Sequence, residues 1–532
     1  MDRPPLLETA QGTWEGAWTG TVAVFRGVRY AASPVGELRW APPAPPPRFD
    51  GVRPAREPGP ACPQPPGWDA PYRAAARLAG VDAAVVAMDT GPAGEDCLRL
   101  DVWTPAPDPS ARLPILFWIH GGASVFGSGS CALFDGTRLA AEHGVVVVSI
   151  NYRLGVLGFL AHEELIAESP RHTAGNYGFL DQVAALEWVR ANAGAFGGDP
   201  DRITVFGESA GGRAVFELLA HPPARGLFQR AIAQSPWDEV HHHRRLDADF
   251  DGIESAIALG RRLAAEFGHT GPDTLARLRE TPTAEVLAAS DRLGFPGSLW
   301  GPIVDGVVFP DHPLALIARG ESHAVPLVVG WNADEATIFF LGDLPFPTAE
   351  TYRGWVEASH PEAATELLAL YPPSDDPRAL HRSFSGLYGD RTFVFPGLLA
   401  AKSLAERTDV WVYHFTHVHP PFAEDALAET GRSVGSYHAA EIPLAFGTLA
   451  GEPLDPVDAK LSRAMRTLWT SFARCGEPTD GSLEPWPRFD AVEEPYLELG
   501  DRIHASSRPL ADRYPALSRA LFPRLGLAAE RP

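Results

Sequence analysis

The stretch TVFGESAGGRA, Thr204 to Ala214, places a serine between two glycines where one backbone pattern gives way to another. Before it, ITVFG is apolar and β-branched, as a buried strand is; after it, SAGGRAVFELLAH repeats apolar residues at helical spacing. A serine on so tight a strand-to-helix turn has the setting of a nucleophile elbow. Gly207 and Gly211 leave room for the close backbone approach that the turn demands, with Glu208 beside the serine. The helix behind Ser209 directs its first backbone N–H groups toward any oxyanion formed there.

The pattern Gly-x-Ser-x-Gly is too short to decide alone, since chance supplies roughly 0.3 copies in a chain this long. A second copy, GRSVG, runs from Gly431 to Gly435 around Ser433. Its surroundings, AETGRSVGSYHAAE, are polar and glycine-rich, with no strand pattern before them. The strand, turn and helix single out Ser209 as the nucleophile.

Outward from the elbow the same alternation continues. LPILFWIH (Leu113 to His120) and GVVVVSI (Gly144 to Ile150) read as buried parallel strands. GFLDQVAALEWVRANAGAF (Gly178 to Phe196) reads as a helix stopped by Gly197, Gly198 and Pro200. QRAIAQS, PLVVGWN (Pro326 to Asn332) and DVWVYHF (Asp409 to Phe415) add later strands. This βαβ succession predicts an α/β fold around a large, mostly parallel sheet flanked by helices. A chain of 532 residues suffices for one large α/β domain with insertions or for two or three domains, and the segments around 238–320 and 340–400, richer in charge and helical pattern, read as insertions that cap the sheet.

A serine hydroxyl needs a base to take its proton and an acid to hold that base. On a fold of this kind both follow the serine, acid before histidine. His438, in GSYHAAEIPLAFG beyond the strand DVWVYHF, fits the histidine; His414, His417 and His419 are its rivals. Asp334 and Glu335, in VVGWNADEATIFF, both stand just past a strand end, where functional groups of open α/β sheets gather. The residues alone do not choose between these two acids. FWIHGGASVFGSG supplies a glycine-rich turn whose backbone N–H groups, with that of Ala210, could receive negative charge. Gly122 and Gly127 carry the glycine spacing of a phosphate loop, but Ser128-Gly129 stands where its Lys-Ser/Thr would be, which excludes that reading.

With these segments in view, the sequence closely resembles the type-B carboxylesterase family, which includes cholinesterases, liver carboxylesterases and bacterial para-nitrobenzyl esterases. The resemblance runs nearly end to end, through VFRGVRYAASPVGELRWAPP, EDCLRLDVWTP, HGGASVFGSGS, NYRLGVLGFL, the long segment ending in FGESAGG, GPIVDGVVFP, VGWNADEATIFF and HAAEIPLAFG. It implies an α/β-hydrolase fold, with residues 1–532 as a single catalytic domain whose helical insertions form a deep gorge or cap. It implies Ser209, Glu335 and His438 as the triad, and the amides of Gly122, Ala123 and Ala210 as the oxyanion hole. The implied activity is hydrolysis of carboxylic esters through an acyl-enzyme, with no metal and no organic cofactor. Amide, carbamate or lactone hydrolysis would use the same chemistry. A non-catalytic binding protein of this fold is disfavoured because all three triad positions are filled.

Several positions depart from the family pattern. Ser124 stands where an aromatic residue or asparagine is common, which predicts a more polar wall near the acyl group. Pro236 and Trp237 follow the QS dipeptide in place of glycine and a small residue, and Arg213, Ala214 and Leu218 are unusual on the helix after the nucleophile. Ser124, Phe126 and Trp237 are therefore expected in the substrate pocket.

Composition bounds the rest. The chain is 45% hydrophobic and 21% charged, as ordinary globular proteins are. A net charge of −22 argues against nucleic acid or an anionic membrane as partner, and the small-molecule ester is what the resemblance implies. MDRPPLLETAQG has no apolar run after a basic start, so a cytoplasmic protein is expected. Cys62, Cys97, Cys131 and Cys475 form no CxxC pair, so neither zinc nor a thioredoxin-like site is suggested; Cys62 and Cys97 could pair in an oxidising compartment, but without a signal sequence free thiols are expected. HHHRR, His241 to Arg245, reads as a solvated loop and not a metal site, because consecutive positions do not share one face.

Overall fold

Strand Leu113–Ile119 shows how the core is divided. Its side chains alternate between two apolar clusters: Ile115, Phe117 and Ile119 enter one, Leu116 and Trp118 the other. Val146, Val148 and Ile150 of the neighbouring strand join the first cluster and Val147 the second. A strand alternates faces at every residue, so an unbroken apolar run is what a sheet covered on both sides requires.

The computed structural model describes residues 3–79, 90–238, 243–295, 299–341, 344–422, 434–449 and 454–528. Its main sheet has 11 strands. In spatial order they are Ile503–Ser507, Pro495–Leu499, Val410–Phe415, Leu327–Asn332, Arg230–Gln234, Gly198–Glu208, Leu113–Ile119, Val146–Ile150, Arg99–Thr104, Val22–Arg29 and Ala17–Thr19. Every pairing from Pro495–Leu499 through to Val146–Ile150 is parallel, and the pairings at the two ends are antiparallel. A separate 3-stranded sheet pairs Leu6–Thr9, Gly12–Glu15 and Val52–Pro54. The chain thus has the α/β-hydrolase fold that its sequence predicts. The antiparallel strands at both ends escape the sequence pattern.

Register brings the carboxyl ends of the parallel strands to one edge. Ile119 pairs with Gly207, Gln234 with Gly330, and Asn332 with Phe415. The loops that begin at His120, Ser209, Ser235, Ala333 and Thr416 therefore leave side by side, as ligand-binding loops of open α/β sheets do.

Residues 238–320 carry helices Ala256–Glu266, Thr274–Glu280, Thr283–Leu293 and Pro313–Ala318. Residues 340–400 carry Ala349–Ser359, Ala364–Leu370, Pro377–Gly389 and, after a π-helical turn Asp390–Val394, Phe395–Ala405. A π turn widens the helix by one residue and re-aims its side chains. Here it directs Phe393 onto the ring of His438, 4.4 Å away between centroids.

Candidate active site

Ser209 is the cap residue between strand Gly198–Glu208 and helix Ala210–Ala220, with φ 59° and ψ −122°. A non-glycine residue persists there only when its surroundings over-determine it. They do: the Ser209 amide donates to Gln234 O at 3.0 Å, while its carbonyl accepts from Arg213 N at 2.9 Å and Trp237 N at 3.0 Å. The flanking glycines explain themselves. A Cβ on Gly211 would lie 2.0 Å from Ile119 O, and one on Gly207 would lie 2.5 Å from Gly211 O. The second motif copy cannot be placed, since Ser433 lies outside the described residues.

Glu335 and His438 meet across 103 positions of sequence: His438 Nδ1 is 2.6 Å from Glu335 Oε2, and the other carboxylate oxygen accepts from Asn332 N at 2.8 Å. Asp334, the competing acid, is turned to a different task. Its Oδ2 accepts from Ser436 N at 2.9 Å, and its own amide donates to Ser436 O at 3.0 Å. One acid thus holds the imidazole and the other holds the loop that bears it. His414 lies on its strand with burial pushing its pKa down to about 4, and His417 and His419 bond to Asp458.

His438 is enclosed by charge as well as by rings. Its Nε2 lies 3.0 Å from Glu208 Oε1. Burial alone would lower its pKa, but Glu208 and Glu335 outweigh burial and raise it to about 9. Burial likewise pushes Glu208 up to about 8, with His438 opposing the shift. Each charge favours the ionised form of the other, and both pKa values move upward.

Sequence reasoning missed Glu441 and Asn332. Buried Glu441 accepts from Gln234 Nε2 at 2.9 Å and Asn332 Nδ2 at 2.7 Å, and Asn332 Nδ2 also donates to Tyr437 O at 2.8 Å. These bonds fix the turn Tyr437–Ala440 from beneath. Glu441 is the glutamate of HAAEI, so the signal was present without its meaning.

Facing Ser209 is the loop after Ile119. Gly122 and Ala123 have φ of 98° and 52°, and their amides take no part in the backbone hydrogen bonds among the described residues. Ala210 opens its helix, so its amide has no intrahelical acceptor. Three N–H groups are therefore left for an oxyanion.

Ser209, His438, Glu208, Gly122 and Ala123 share the wall of a cavity of about 1120 Å³. Aromatic rings supply much of the rest, among them Trp68, Phe126, Trp237, Phe339, Trp355 and Phe393. Phe126 and Trp237 line it, whereas the third expected pocket residue does not. Ser124 is buried, and its hydroxyl accepts from Arg213 Nη2 at 2.7 Å. Arg213, unusual in sequence, also sits over the Trp237 ring at 4.9 Å and pairs with Glu217 Oε1 at 2.9 Å. Its departure from the family pattern thus coincides with those of Ser124 and Trp237.

The HHHRR reading needs correction. His241 and His242 lie outside the described residues, but His243 and Arg244 are buried. His243 packs against His312 with ring centroids 4.0 Å apart, beside Asp238 and Glu217. Polar neighbours in sequence did not report this long-range packing. Cys62 and Cys97 are buried free thiols. Among the described residues no helix is long and apolar enough to cross a membrane.

Comparison with known proteins adds the lineage. A carboxylesterase family model matches residues 3–515. The fumonisin B1 esterase of Sphingopyxis macrogoltabida is 35% identical over 94% of this chain and 88% of its own length. The para-nitrobenzyl esterase of Bacillus subtilis is 32% identical over 98% of this chain and 99% of its own. Among solved structures, the Geobacillus stearothermophilus carboxylesterase EST55 superposes with a TM-score of 0.81 at 33% identity, covering 96% of this chain and 99% of its own.

Proposed function

The chain belongs to the carboxylesterase family and is a serine carboxylic-ester hydrolase, and from that premise we propose that Ser209, His438 and Glu335 carry its chemistry. His438 Nε2 takes the Ser209 proton as Oγ attacks the ester carbonyl. Glu335 holds Nδ1–H and stabilises the imidazolium. The amides of Gly122, Ala123 and Ala210 receive the oxyanion, at about 3–4 kcal/mol of barrier reduction each. The imidazolium then protonates the leaving alcohol. Water, deprotonated by the same ring, attacks the acyl-enzyme and releases the acid, restoring Ser209. The whole chain acts as one catalytic domain.

The observation that carries this reading is the 2.6 Å contact between His438 Nδ1 and Glu335 Oε2 on the cavity that Ser209 also lines. Cavity size and aromatic walls favour a small-molecule ester with bulky apolar groups. A panel of nitrophenyl esters of increasing acyl length, run on wild type and Ser209→Ala, tests both points. Turnover should vanish in the variant while its circular dichroism stays native. Undiminished turnover by Ser209→Ala would remove the proposal.

A further inference from the structure

Outside the cavity, His417, His419 and Asp458 form a buried cluster whose hydrogen bonds do not balance with neutral rings. His417 Nδ1 lies 2.7 Å from Asp501 Oδ1, and its Nε2 lies 2.8 Å from Asp458 Oδ1. His419 Nδ1 lies 2.8 Å from that same Asp458 oxygen, and its Nε2 lies 2.9 Å from Ala440 O. All four contacts are to carboxylate or carbonyl oxygens, which only accept. A neutral imidazole has one N–H and one lone pair, so each ring would face one oxygen with a lone pair. Positive charge must therefore stand where His417 Nε2, His419 Nδ1 and Asp458 Oδ1 converge. Either two protons supply it, or one divalent cation does.

We propose that these three atoms form a metal site, with Zn²⁺ as the best-fitting ion. Two imidazoles and one carboxylate, with a fourth position for water, suit a tetrahedral borderline metal better than the all-oxygen shells of Ca²⁺ or Mg²⁺. The three ligand atoms lie within 4.8 Å of one another. Bonds of about 2.0–2.1 Å set tetrahedral ligand atoms about 3.3 Å apart, so the 2.8 Å contacts need to open by only about half an ångström. The outer ring nitrogens are already placed as metal-bound histidines place them. One donates to a carboxylate and the other to a backbone carbonyl, which fixes both tautomers. The alternative sets two like-charged imidazolium rings 5.4 Å apart around one shared carboxylate oxygen, where they repel each other.

A second buried cluster, Asp238, His243 and His312, also brings possible ligand atoms together. There His312 Nδ1 accepts Leu314 N–H at 3.2 Å, so its Nε2 carries the proton and has no lone pair for a metal. That difference decides between the two.

The metal site would be structural. It joins the segment after strand Val410–Phe415, the first turn of helix Pro456–Cys475, and Asp501. Through His419 it holds the carbonyl of Ala440, two residues from His438.

The test uses tag-free, full-length protein stripped by chelation and then given ZnCl₂. Wild type should retain one equivalent of zinc after desalting, read by elemental analysis, and its Tm should rise on zinc addition. His419→Gln and Asp458→Asn should each weaken zinc binding at least a hundredfold by calorimetry. Asp501→Asn, at an exposed position, should weaken it about tenfold. Co²⁺ in place of zinc should give the visible absorption of a tetrahedral site. No uptake by wild type, or wild-type uptake by folded His419→Gln and Asp458→Asn, overturns the proposal. So does loss of uptake on His243→Gln alone.

Discussion

Glu208 Oε1 lies 3.0 Å from His438 Nε2, on the opposite edge of the ring from Glu335. The imidazole thus stands between two carboxylates, and they hold its pKa up near about 9. On the proposed mechanism esterolysis requires the neutral ring, so activity should rise with pH as His438 loses its proton. Glu208→Gln removes one negative charge, lowers that pKa and should move the acidic limb of the kcat/KM profile to lower pH. Its plateau should fall about tenfold, because the imidazolium formed in the transition state loses a counter-charge. An unmoved limb would mean that Glu208 does not face the working base.

Glu335→Gln and Asp334→Ala should separate the two acids. The first leaves Nδ1 without its anionic partner and should lower kcat by about 10³–10⁴ with little change in KM. The second frees Ser436 N and should lower Tm while costing kcat less than about tenfold. Steady-state kinetics and thermal melts on both variants check this, and the reverse order of kcat losses would contradict the assignment.

Arg213→Met should be costly out of proportion to a single contact. Glu217 is buried and already pushed up to about 7 by that burial, with Arg213 opposing the shift. Without Arg213 an unpaired buried carboxyl remains, at about 3–5 kcal/mol. Arg213→Met with Glu217→Leu should recover much of the lost Tm, since the pair is then replaced by apolar groups. Absence of any recovery would argue that Arg213 acts mainly through Ser124.

Trp237→Ala should change selectivity before it changes chemistry. The ring packs with Ala210 and Phe393 at the wall beside Ser209. Its removal should raise kcat/KM for branched or longer acyl groups relative to acetyl about tenfold, a difference of the size that filling an apolar pocket controls. Ratios equal to wild type across an ester panel would place the acyl group elsewhere.

The inner parallel strands such as Leu113–Ile119 and Val146–Ile150 were legible because each is buried on both faces and so reads as an unbroken apolar run, whereas the parallel strand Pro495–Leu499, only partly buried and carrying Glu498, was not read. Strand Arg99–Thr104 was not, because Asp101 interrupts it. That carboxylate is buried on the strand and accepts from Gly27 N at 2.8 Å, a partner 74 residues away. The elbow was legible because its glycines and flanking elements are local. The choice between Asp334 and Glu335 depends on Ser436 and His438, a hundred residues on, and no local pattern carries it. His243 and His419 show the same limit from the other side: buried polar clusters are assembled by tertiary contact. Their sequence neighbours looked like loops.

The most direct measurement is peptide mapping by mass spectrometry after reaction with a nitrophenyl phosphonate, which traps an activated serine as a stable adduct. The account predicts one adduct per chain, on the tryptic peptide containing Ser209, and none on Ser209→Ala. An adduct on another serine of the wild-type protein, such as Ser433, would contradict it.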